Sequence, residues 1–166
     1  GVAAALLMTT ARALLRSRAA ENRSLAELMQ VVNRLLVEDA PPGRYMTLFY
    51  AVIDAERRSV RWANAGHDPA ITYDPNADRF DVLDGGDLPL GIEPDESYQE
   101  FRLEGLVPEQ VIVIGTDGIW ETRNWQGEPF GKDALRQAIR DSAAGSAEQI
   151  IQCITDALDR FRQGRP

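Results

Sequence analysis

The sequence predicts an α+β domain in which a mostly antiparallel sheet is covered by helices. Two amphipathic segments open the 166-residue chain, about six β-type segments follow, and two further amphipathic segments close it. Runs of helices and runs of strands, without a regular alternation of the two, are typical of α+β folds. No internal repeat, low-complexity tract or clear linker is visible, so residues 1–166 are interpreted as one domain.

The two opening segments have the apolar spacing of helices. The first, GVAAALLMTTARALLRSRA, is rich in Ala and Leu and is expected to be a largely buried helix. The second, SLAELMQVVNRLL, begins with Ser24 and Glu27 at the spacing of a capping box. The prolines at 41 and 42 should end it, because proline cannot continue a helix. Its predicted buried stripe consists of Leu25, Leu28, Met29, Val32, Leu35 and Leu36.

The middle of the chain has the character of β-structure. The segment YQEFRL alternates between apolar and polar residues, so Tyr98, Phe101 and Leu103 are expected to point inward. The segment QVIVIG does not alternate, which predicts a strand that is covered on both faces. Short polar turns separate the six candidate strands, which are YMTLFYAVID, VRWANA, AITYD, RFDVLD, YQEFRL and QVIVIG.

The last third of the chain returns to helical periodicity. The segments GKDALRQAIRDSA and SAEQIIQCITDALDRF each carry an apolar stripe. The second begins with Ser146 and Gln149 at capping-box spacing. It also contains Cys153, which we expect to be a buried thiol, and since this is the only cysteine an internal disulfide is excluded.

Charge and composition argue against several classes of partner. The net charge is −8, which disfavours general binding to nucleic acid or to anionic membranes and is typical of a soluble surface. The longest apolar run, VAAALLM, is too short to cross a bilayer, and no cationic leader with a cleavage site precedes it. With a single cysteine, these features predict a cytoplasmic protein without direct membrane insertion.

An acidic residue follows the apolar segment VIVIG. Asp117 lies in Gly-Thr-Asp-Gly, where the flanking glycines allow a tight bend and a close approach by another group. A carboxylate held at a strand end is a suitable ligand for Mg²⁺ or Mn²⁺, which prefer oxygen donors. An aspartate that hydrogen-bonds to its own turn would explain the same tetrapeptide. From these four residues alone the two interpretations stay open.

Five segments, in order across nearly the whole chain, carry a resemblance to one family. GVAAALLM is similar to the helix after that family's metal-binding Asp-x-x-Gly-His-Gly turn, and NRLLVEDAPPGRYMTLFYAVID to its next helix end and strand. WANAGHDPA resembles an Asn-Ala-Gly-His-Asn-Pro signature, with Asp68 where asparagine is usual, and LPLGIEPD resembles a Pro-Leu-Gly loop. The segment VIVIGTDGIWETRNWQGEPFG resembles the central signature, with matching residues Asp117, Gly118, Glu121, Asn124, Gly127, Phe130 and Gly131.

These segments resemble the metal-dependent serine/threonine phosphatases of the PPM family, in the bacterial branch of SpoIIE and the sigma-factor-regulating stress-response phosphatases. The resemblance implies antiparallel sheets stacked as a sandwich and flanked by helices. It implies hydrolysis of phosphoserine or phosphothreonine by water activated between two Mn²⁺ or Mg²⁺ ions. Asp117 would then be a catalytic metal ligand. The expected substrate is a phosphorylated anti-anti-sigma-type protein, and sensor or regulatory domains are expected in the full-length protein.

Both ends of the chain depart from the family pattern. Gly1 resembles the last glycine of the Asp-x-x-Gly-His-Gly turn, so the turn's aspartate would precede this chain. Family members also close with a strand that opens on Asp-Asp and Thr, and no such strand follows DALDRFRQGRP. Two dications about 4 Å apart need several anionic oxygens, and Asp117 is one. We therefore expect a phosphatase domain that is incomplete at both ends, with weak metal binding and little activity.

Other residues of the matching segments have candidate roles. Glu121 could serve as a ligand, but a structural or switching role, paired with backbone or with Arg123, is favoured. Asn64 and His67 are expected to link their turn to neighbouring backbone by hydrogen bonds, although His67 could also position a phosphate or donate a proton. Gly118 and Asn124 belong to the central signature.

Several further residues have a weaker case. Gly1 and Arg44 are candidates for backbone or phosphate contacts, although an exposed arginine at a strand end is common. Trp120 and Trp125 are expected to cap the core, with a docking surface for the substrate protein as the alternative. Acidic residues in the loop around LPLGIEPD are interpreted as solvated charge: Asp84, Asp87, Glu93 and Asp95.

Two functional hypotheses follow from these residues and the resemblance. The first is a metal-dependent phosphatase acting on a regulatory phosphoprotein. The second is a catalytically weak or inactive pseudophosphatase that serves as a partner-switching binding module. In either case the helices over residues 3–17 and 25–37 are candidates for a homodimer face.

Overall fold

The computed structural model describes residues 2–20, 24–39 and 43–163. All paired strands are antiparallel and form two three-stranded sheets, which confirms the predicted α+β class. The short helix α3, which begins four residues after the end of the sixth strand, was not predicted. In chain order the elements are α1 (Val2–Arg18), α2 (Leu25–Asp39), β1 (Leu48–Asp54), β2 (Ser59–Ala65), β3 (Ala70–Asp74), β4 (Arg79–Leu83), β5 (Phe101–Glu104), β6 (Val111–Val113), α3 (Asp117–Trp120), α4 (Gly131–Ser142) and α5 (Ala147–Gln163).

The chain folds as two compact units. Unit one comprises Gly1–Pro69 and Asp84–Leu106, and unit two comprises Ala70–Leu83 and Val107–Pro166. The sheet of unit one has the strand order β1-β2-β5, and that of unit two has the order β4-β3-β6. The central strands, β2 and β3, therefore have partners on both sides, whereas the other four are edge strands within the described part of the chain.

The core of unit one is built on α2. Its predicted stripe is confirmed except at Leu35, which is half-buried; the other five residues are buried, namely Leu25, Leu28, Met29, Val32 and Leu36. They pack in one cluster with the β2 residues Ala63 and Ala65, whose small side chains allow the helix to approach the sheet closely. The backbone N–H of Glu27 donates to Ser24 Oγ at 3.1 Å, which is one of the two bonds of a capping box. The prolines expected to end α2 lie outside the described residues.

Helix α1 is much less buried than its composition suggested. Ala11 is its one buried residue among those described, and Leu7, Leu14 and Leu15 are partly buried against the core of unit one. Leu6 remains 64% exposed. The prediction of a largely buried helix was wrong, because α1 packs through a single narrow stripe and leaves Val2 and Met8 exposed together with Leu6 and most of its alanines.

The inward residues of the β5 region follow the predicted alternation. Tyr98 is buried, and Phe101 and Leu103 are partly buried. Arg102 and Glu104, between and after them, are exposed. The observed strand is shorter than predicted, because it begins at Phe101.

The core of unit two lies between its sheet and the helices α4 and α5. Leu135 and Ile139 of α4 are fully buried and cluster with Ile71 of β3 and Ile150 of α5. The predicted capping box of α5 is present, because the N–H of Ser146 donates to Gln149 Oε1 at 2.7 Å and the N–H of Gln149 donates to Ser146 Oγ at 3.3 Å. Cys153 is only partly buried in α5, so the expected burial is confirmed in part.

Strand β6 corrects a second burial prediction. It pairs with β3 alone among the described strands, its three residues are half-buried, and the following Ile114 is 51% exposed. The segment is therefore not covered on both faces. A continuous apolar run indicates the capacity for burial, but the neighbours that supply the cover are decided by the tertiary fold.

Among the described helices, none has both the length and the apolar character required to cross a membrane.

Candidate active site

Asp117 occupies the first position of α3, four residues after Val113, the last residue of β6. The backbone leaves the strand through Gly115 and Thr116, and Thr116 is the N-cap residue with extended dihedral angles of φ −101° and ψ 163°. A Cβ at Gly115 would lie 2.9 Å from Ile119 Cδ1, so glycine allows the helix to fold back closely over the strand end. The carboxylate of Asp117 is thereby presented at the end of a sheet strand.

The side chain of Asp117 is exposed and is not committed to a structural role. Its backbone carbonyl accepts the N–H of Glu121 at 2.8 Å, which closes the single turn of α3. Within the described residues, the carboxylate itself has no hydrogen bond and no ion pair. The carboxylate of Asp117 therefore does not hydrogen-bond to its own turn in this structure, and it is available for an external partner.

The neighbours of Asp117 stabilise the turn rather than the carboxylate. The carbonyl of Gly118 accepts the hydroxyl of Thr122 at 2.6 Å. Glu121 is the exposed C-cap residue of α3. Arg123 does not pair with it among the described contacts and instead donates to the carbonyl of Gly127 at 2.5 Å. Of the two pairings expected for Glu121, with backbone or with Arg123, the one with Arg123 is therefore not observed among the described contacts.

Asn124 organises the loop that follows the helix. Its Oδ1 accepts the N–H groups of Gln126 at 3.0 Å and Glu128 at 2.9 Å, and its Nδ2 donates to Glu128 Oε2 at 2.9 Å. Its backbone N–H also donates to the carbonyl of Glu128. These bonds give Asn124 a structural function.

Trp125 at the loop tip is 53% exposed, so the interpretation that it caps the core is wrong. Trp120 is half-buried in the core cluster of unit two.

Asn64 and His67 lie in unit one and form the structural turn that was favoured from the sequence. The buried Asn64 amide donates to the carbonyl of His67 at 2.8 Å and accepts the His67 N–H at 2.9 Å. His67 Nδ1 lies 3.1 Å from the carbonyl oxygen of Asp68. Gly66 between them has φ +66°, and a Cβ there would lie 2.7 Å from Pro89 Cγ. The turn is therefore packed directly on the Pro-Leu-Gly loop.

Asn33, a residue not predicted from the sequence to have a role, holds that loop in place. Asn33 of α2 is fully buried, its Oδ1 accepts the N–H of Gly91 at 2.8 Å, and its Nδ2 donates to the carbonyl of Glu93 at 2.7 Å. Asn33 lies four residues after Met29 and three before Leu36, on the buried face of the helix. A polar residue on the apolar face of the helix indicates a hydrogen-bonding role in the sequence, because buried amides are nearly always hydrogen-bonded.

The remaining candidates are Arg44, Gly1 and the acidic residues of the loop around LPLGIEPD. Arg44 is exposed and lines a cavity of about 230 Å³ beside α1 and α2. Gly1 lies outside the described residues, so its expected contact has no structural account. Asp87 accepts the N–H of Gln99 at 2.8 Å and Asp84 that of Gly85 at 2.8 Å, so part of the acidic loop has structural partners.

The described residues do not by themselves form a site for two dications. In residues 2–20, 24–39 and 43–163, no group of three or more His, Cys, Asp or Glu side chains is arranged to hold a metal ion. Asp117 offers one carboxylate, whereas two dications about 4 Å apart require several anionic oxygens to offset their repulsion. Asp117 is thus suited to be one ligand of a metal site without completing it.

Comparison with known proteins places the whole chain in one family. Residues 1–166 match the family described as stage II sporulation protein E (SpoIIE). A curated relative is the phosphoserine phosphatase RsbU of Bacillus subtilis, which is 27% identical over 158 residues and covers 95% of this chain. This chain spans 47% of the length of RsbU, about half.

Solved structures support the same fold. The SiaA-PP2C domain of Pseudomonas aeruginosa superposes with a TM-score of 0.81 at 20% identity, covering 100% of this chain and 66% of its own. The manganese-presoaked phosphatase domain of SpoIIE from Bacillus subtilis gives a TM-score of 0.61 at 17% identity, covering 92% of this chain and 65% of its own. The two antiparallel sheets and the helices agree with these matches, and the chain belongs to the SpoIIE family of PPM-type serine/threonine phosphatases.

Proposed function

We propose that the protein hydrolyses phosphoserine or phosphothreonine on a regulatory protein of the anti-anti-sigma type. The observation that carries this proposal is the exposed Asp117 carboxylate, which stands at a strand end without a structural partner among the described residues. It is supported by membership of the SpoIIE family and by the similarity to RsbU, a phosphoserine phosphatase.

The cofactor of this reaction is proposed to be Mn²⁺ or Mg²⁺. Solved relatives include a SpoIIE phosphatase domain presoaked with manganese and RsbX in complex with magnesium. Asp117 is the described residue proposed to contribute a ligand, because carboxylate oxygens suit both ions. A pair of ions in the complete site remains the expectation from the family resemblance.

Hydrolysis of p-nitrophenyl phosphate, measured with and without Mn²⁺, tests the proposal. Asp117→Asn should lower the Mn²⁺-dependent rate by about 100-fold or more, since residues that merely support metal ligands often account for 10–100-fold. The matched control is Asp133→Asn, because Asp133 is an exposed acid that pairs with Arg136 at 3.1 Å in α4. An Asp117→Asn protein with an unchanged Mn²⁺-dependent rate would contradict the assignment.

A second function, partner binding without hydrolysis, is favoured by a specific observation. The described residues contain no cluster of three metal-binding side chains. A pseudophosphatase would bind its phosphorylated partner protein in a pull-down without releasing phosphate, and calorimetry with Mn²⁺ would show no tight site. Two tight Mn²⁺ sites together with phosphate release would instead establish the enzyme.

Assembly and location remain predictions. A homodimer through α1 and α2 agrees with the exposed apolar side chains Val2, Leu6 and Met8 on α1. Sensor or regulatory domains in a longer protein and a cytoplasmic location are also proposed. Sedimentation of the purified protein at several concentrations tests the dimer.

A further inference from the structure

Three arginines surround one cavity on the sheet of unit one, although the chain carries a net charge of −8. The cavity has a volume of about 250 Å³ and none of the candidate active-site residues lines it. One carboxylate, from Asp54, is part of its lining. The lining residues are Val52, Asp54, Arg57, Ser59, Arg61 and Arg102.

The strand register places two of these arginines side by side. Arg61 of β2 is directly opposite Arg102 of β5, and Val52 of β1 is opposite Arg61 on the other side. Direct cross-strand partners share a face of the sheet, and like charges in such a pair are destabilising. The cost of this pairing is offset in part by a carboxylate beside each arginine, Glu100 for Arg61 and Glu104 for Arg102.

Neighbouring carboxylates orient the two guanidinium groups without filling the cavity. Arg61 Nη1 donates to Glu100 Oε1 at 2.8 Å, and the other oxygen of Glu100 accepts the N–H of Leu25, the first residue of α2, at 2.6 Å. The Glu100 side chain is only 21% exposed, so this arrangement is held firmly. Arg102 forms an ion pair with Glu104 through Nε. Neither carboxylate is part of the cavity lining.

The donors left to these arginines suit an oxyanion. A guanidinium group has five N–H donors in a planar fork, and the described contacts of Arg61 and Arg102 use only part of each fork. Arg57, at the rim, pairs with Asp54 at a longer distance of 3.7 Å. Forked guanidinium groups bind phosphate and carboxylate through paired hydrogen bonds.

We propose that the cavity between Arg57, Arg61 and Arg102 binds a phosphate or carboxylate group. The proposal does not rest on the proposed phosphatase activity, since every residue that lines the cavity belongs to unit one and none of them is a proposed metal ligand. The bound anion would bridge the two opposed guanidinium groups through the N–H donors that Glu100 and Glu104 do not use.

Nuclear magnetic resonance of the ¹⁵N-labelled chain tests this site. Inorganic phosphate is titrated at constant ionic strength, with chloride as the compensating anion, while the Nε–H signals of Arg61 and Arg102 and the amide signal of Leu25 are followed. We expect saturable shifts with a Kd of about 1–10 mM. A parallel titration with acetate distinguishes a phosphate ligand from a carboxylate ligand. Saturation with both anions defines a general oxyanion site, and saturation with phosphate alone defines a phosphate site.

Two variants and a control keep the test decisive. Arg102→Gln should weaken binding about tenfold or more, and Arg57→Gln, at the rim, should weaken it less. Arg79→Gln is the control, because Arg79 is an exposed arginine of β4 whose partner Asp81 is 4.0 Å away. The dispersion of the amide spectrum shows that each variant is folded. Linear shifts without saturation, or equal binding by wild type and Arg102→Gln, would overturn the proposal.

Discussion

Replacing Asn33 with leucine should destabilise the protein by detaching the Pro-Leu-Gly loop from α2. Leucine has a similar volume and suits the apolar surroundings, so packing is largely preserved while two hydrogen bonds are lost. These are the bonds from Gly91 N–H to Oδ1 at 2.8 Å and from Nδ2 to the carbonyl of Glu93 at 2.7 Å. The change thus isolates the polar contribution of one buried amide.

The magnitude follows from the environment of the two groups that lose a partner. A typical hydrogen bond contributes about 1 kcal/mol net, and leaving a buried partner unsatisfied costs about 1–3 kcal/mol. Gly91 is half-buried and Glu93 is exposed, so water can replace part of each bond. We therefore expect a loss of about 2 kcal/mol in the free energy of unfolding, which lowers Tm by roughly 4–8 °C for a chain of this size.

Urea unfolding followed by circular dichroism measures this loss, and amide hydrogen exchange localises it. The Gly91 amide should exchange faster in Asn33→Leu than in wild type, because its acceptor is gone. The control is Arg34→Leu, at the adjacent exposed position of α2. If Asn33→Leu is within about 0.5 kcal/mol of wild type and Gly91 remains protected, the assigned role of Asn33 is refuted.

Two further predictions concern a glycine and an ion pair. Gly91→Ala should cost about 1–3 kcal/mol in urea unfolding, because φ is +92° and the new Cβ would lie 2.8 Å from the Arg44 carbonyl oxygen, whereas Gly86→Ala, with open space around it, should be nearly neutral. The hydrogen bond from Arg140, at 2.7 Å, holds the pKa of Asp78 below its ordinary value of 3.8. The hydrogen bond therefore stabilises the folded protein above pH 3.8, and this stabilisation is lost as pH falls through the lower pKa of Asp78 in the folded state. The difference in the free energy of unfolding between wild type and Asp78→Asn should narrow on acidification. A difference that stays constant with pH would contradict the stabilising role of this hydrogen bond.

Local sequence patterns predicted those features that depend on neighbours along the chain. The buried stripe of α2, the Ser24 cap of α2 and the capping box of α5 follow from residues three and four positions apart, which the helix itself brings together. The position of Asp117 at a strand end likewise follows from the apolar run and the glycines beside it. Its freedom from a structural partner did not follow, since hydrogen bonding to its own turn was equally compatible with the tetrapeptide.

Burial and pairing across elements were beyond the reach of local patterns. The alanine-rich α1 and the apolar β6 were both expected to be more deeply buried than they are, because composition indicates that a segment tolerates burial but does not supply the element that covers it. The opposition of Arg61 and Arg102 depends on strand register, which a shift of one residue would have abolished.

The sequence by itself determined the fold class, the helical and strand segments in the main, and the carboxylate at position 117, because each depends on the periodicity and turn chemistry of contiguous residues. Only the tertiary structure decided that Asn33 holds the loop at Gly91 and that the arginines of β2 and β5 share a cavity. These contacts join residues about 40–60 positions apart, and no local interaction specifies which distant groups will meet when the apolar surfaces are buried together.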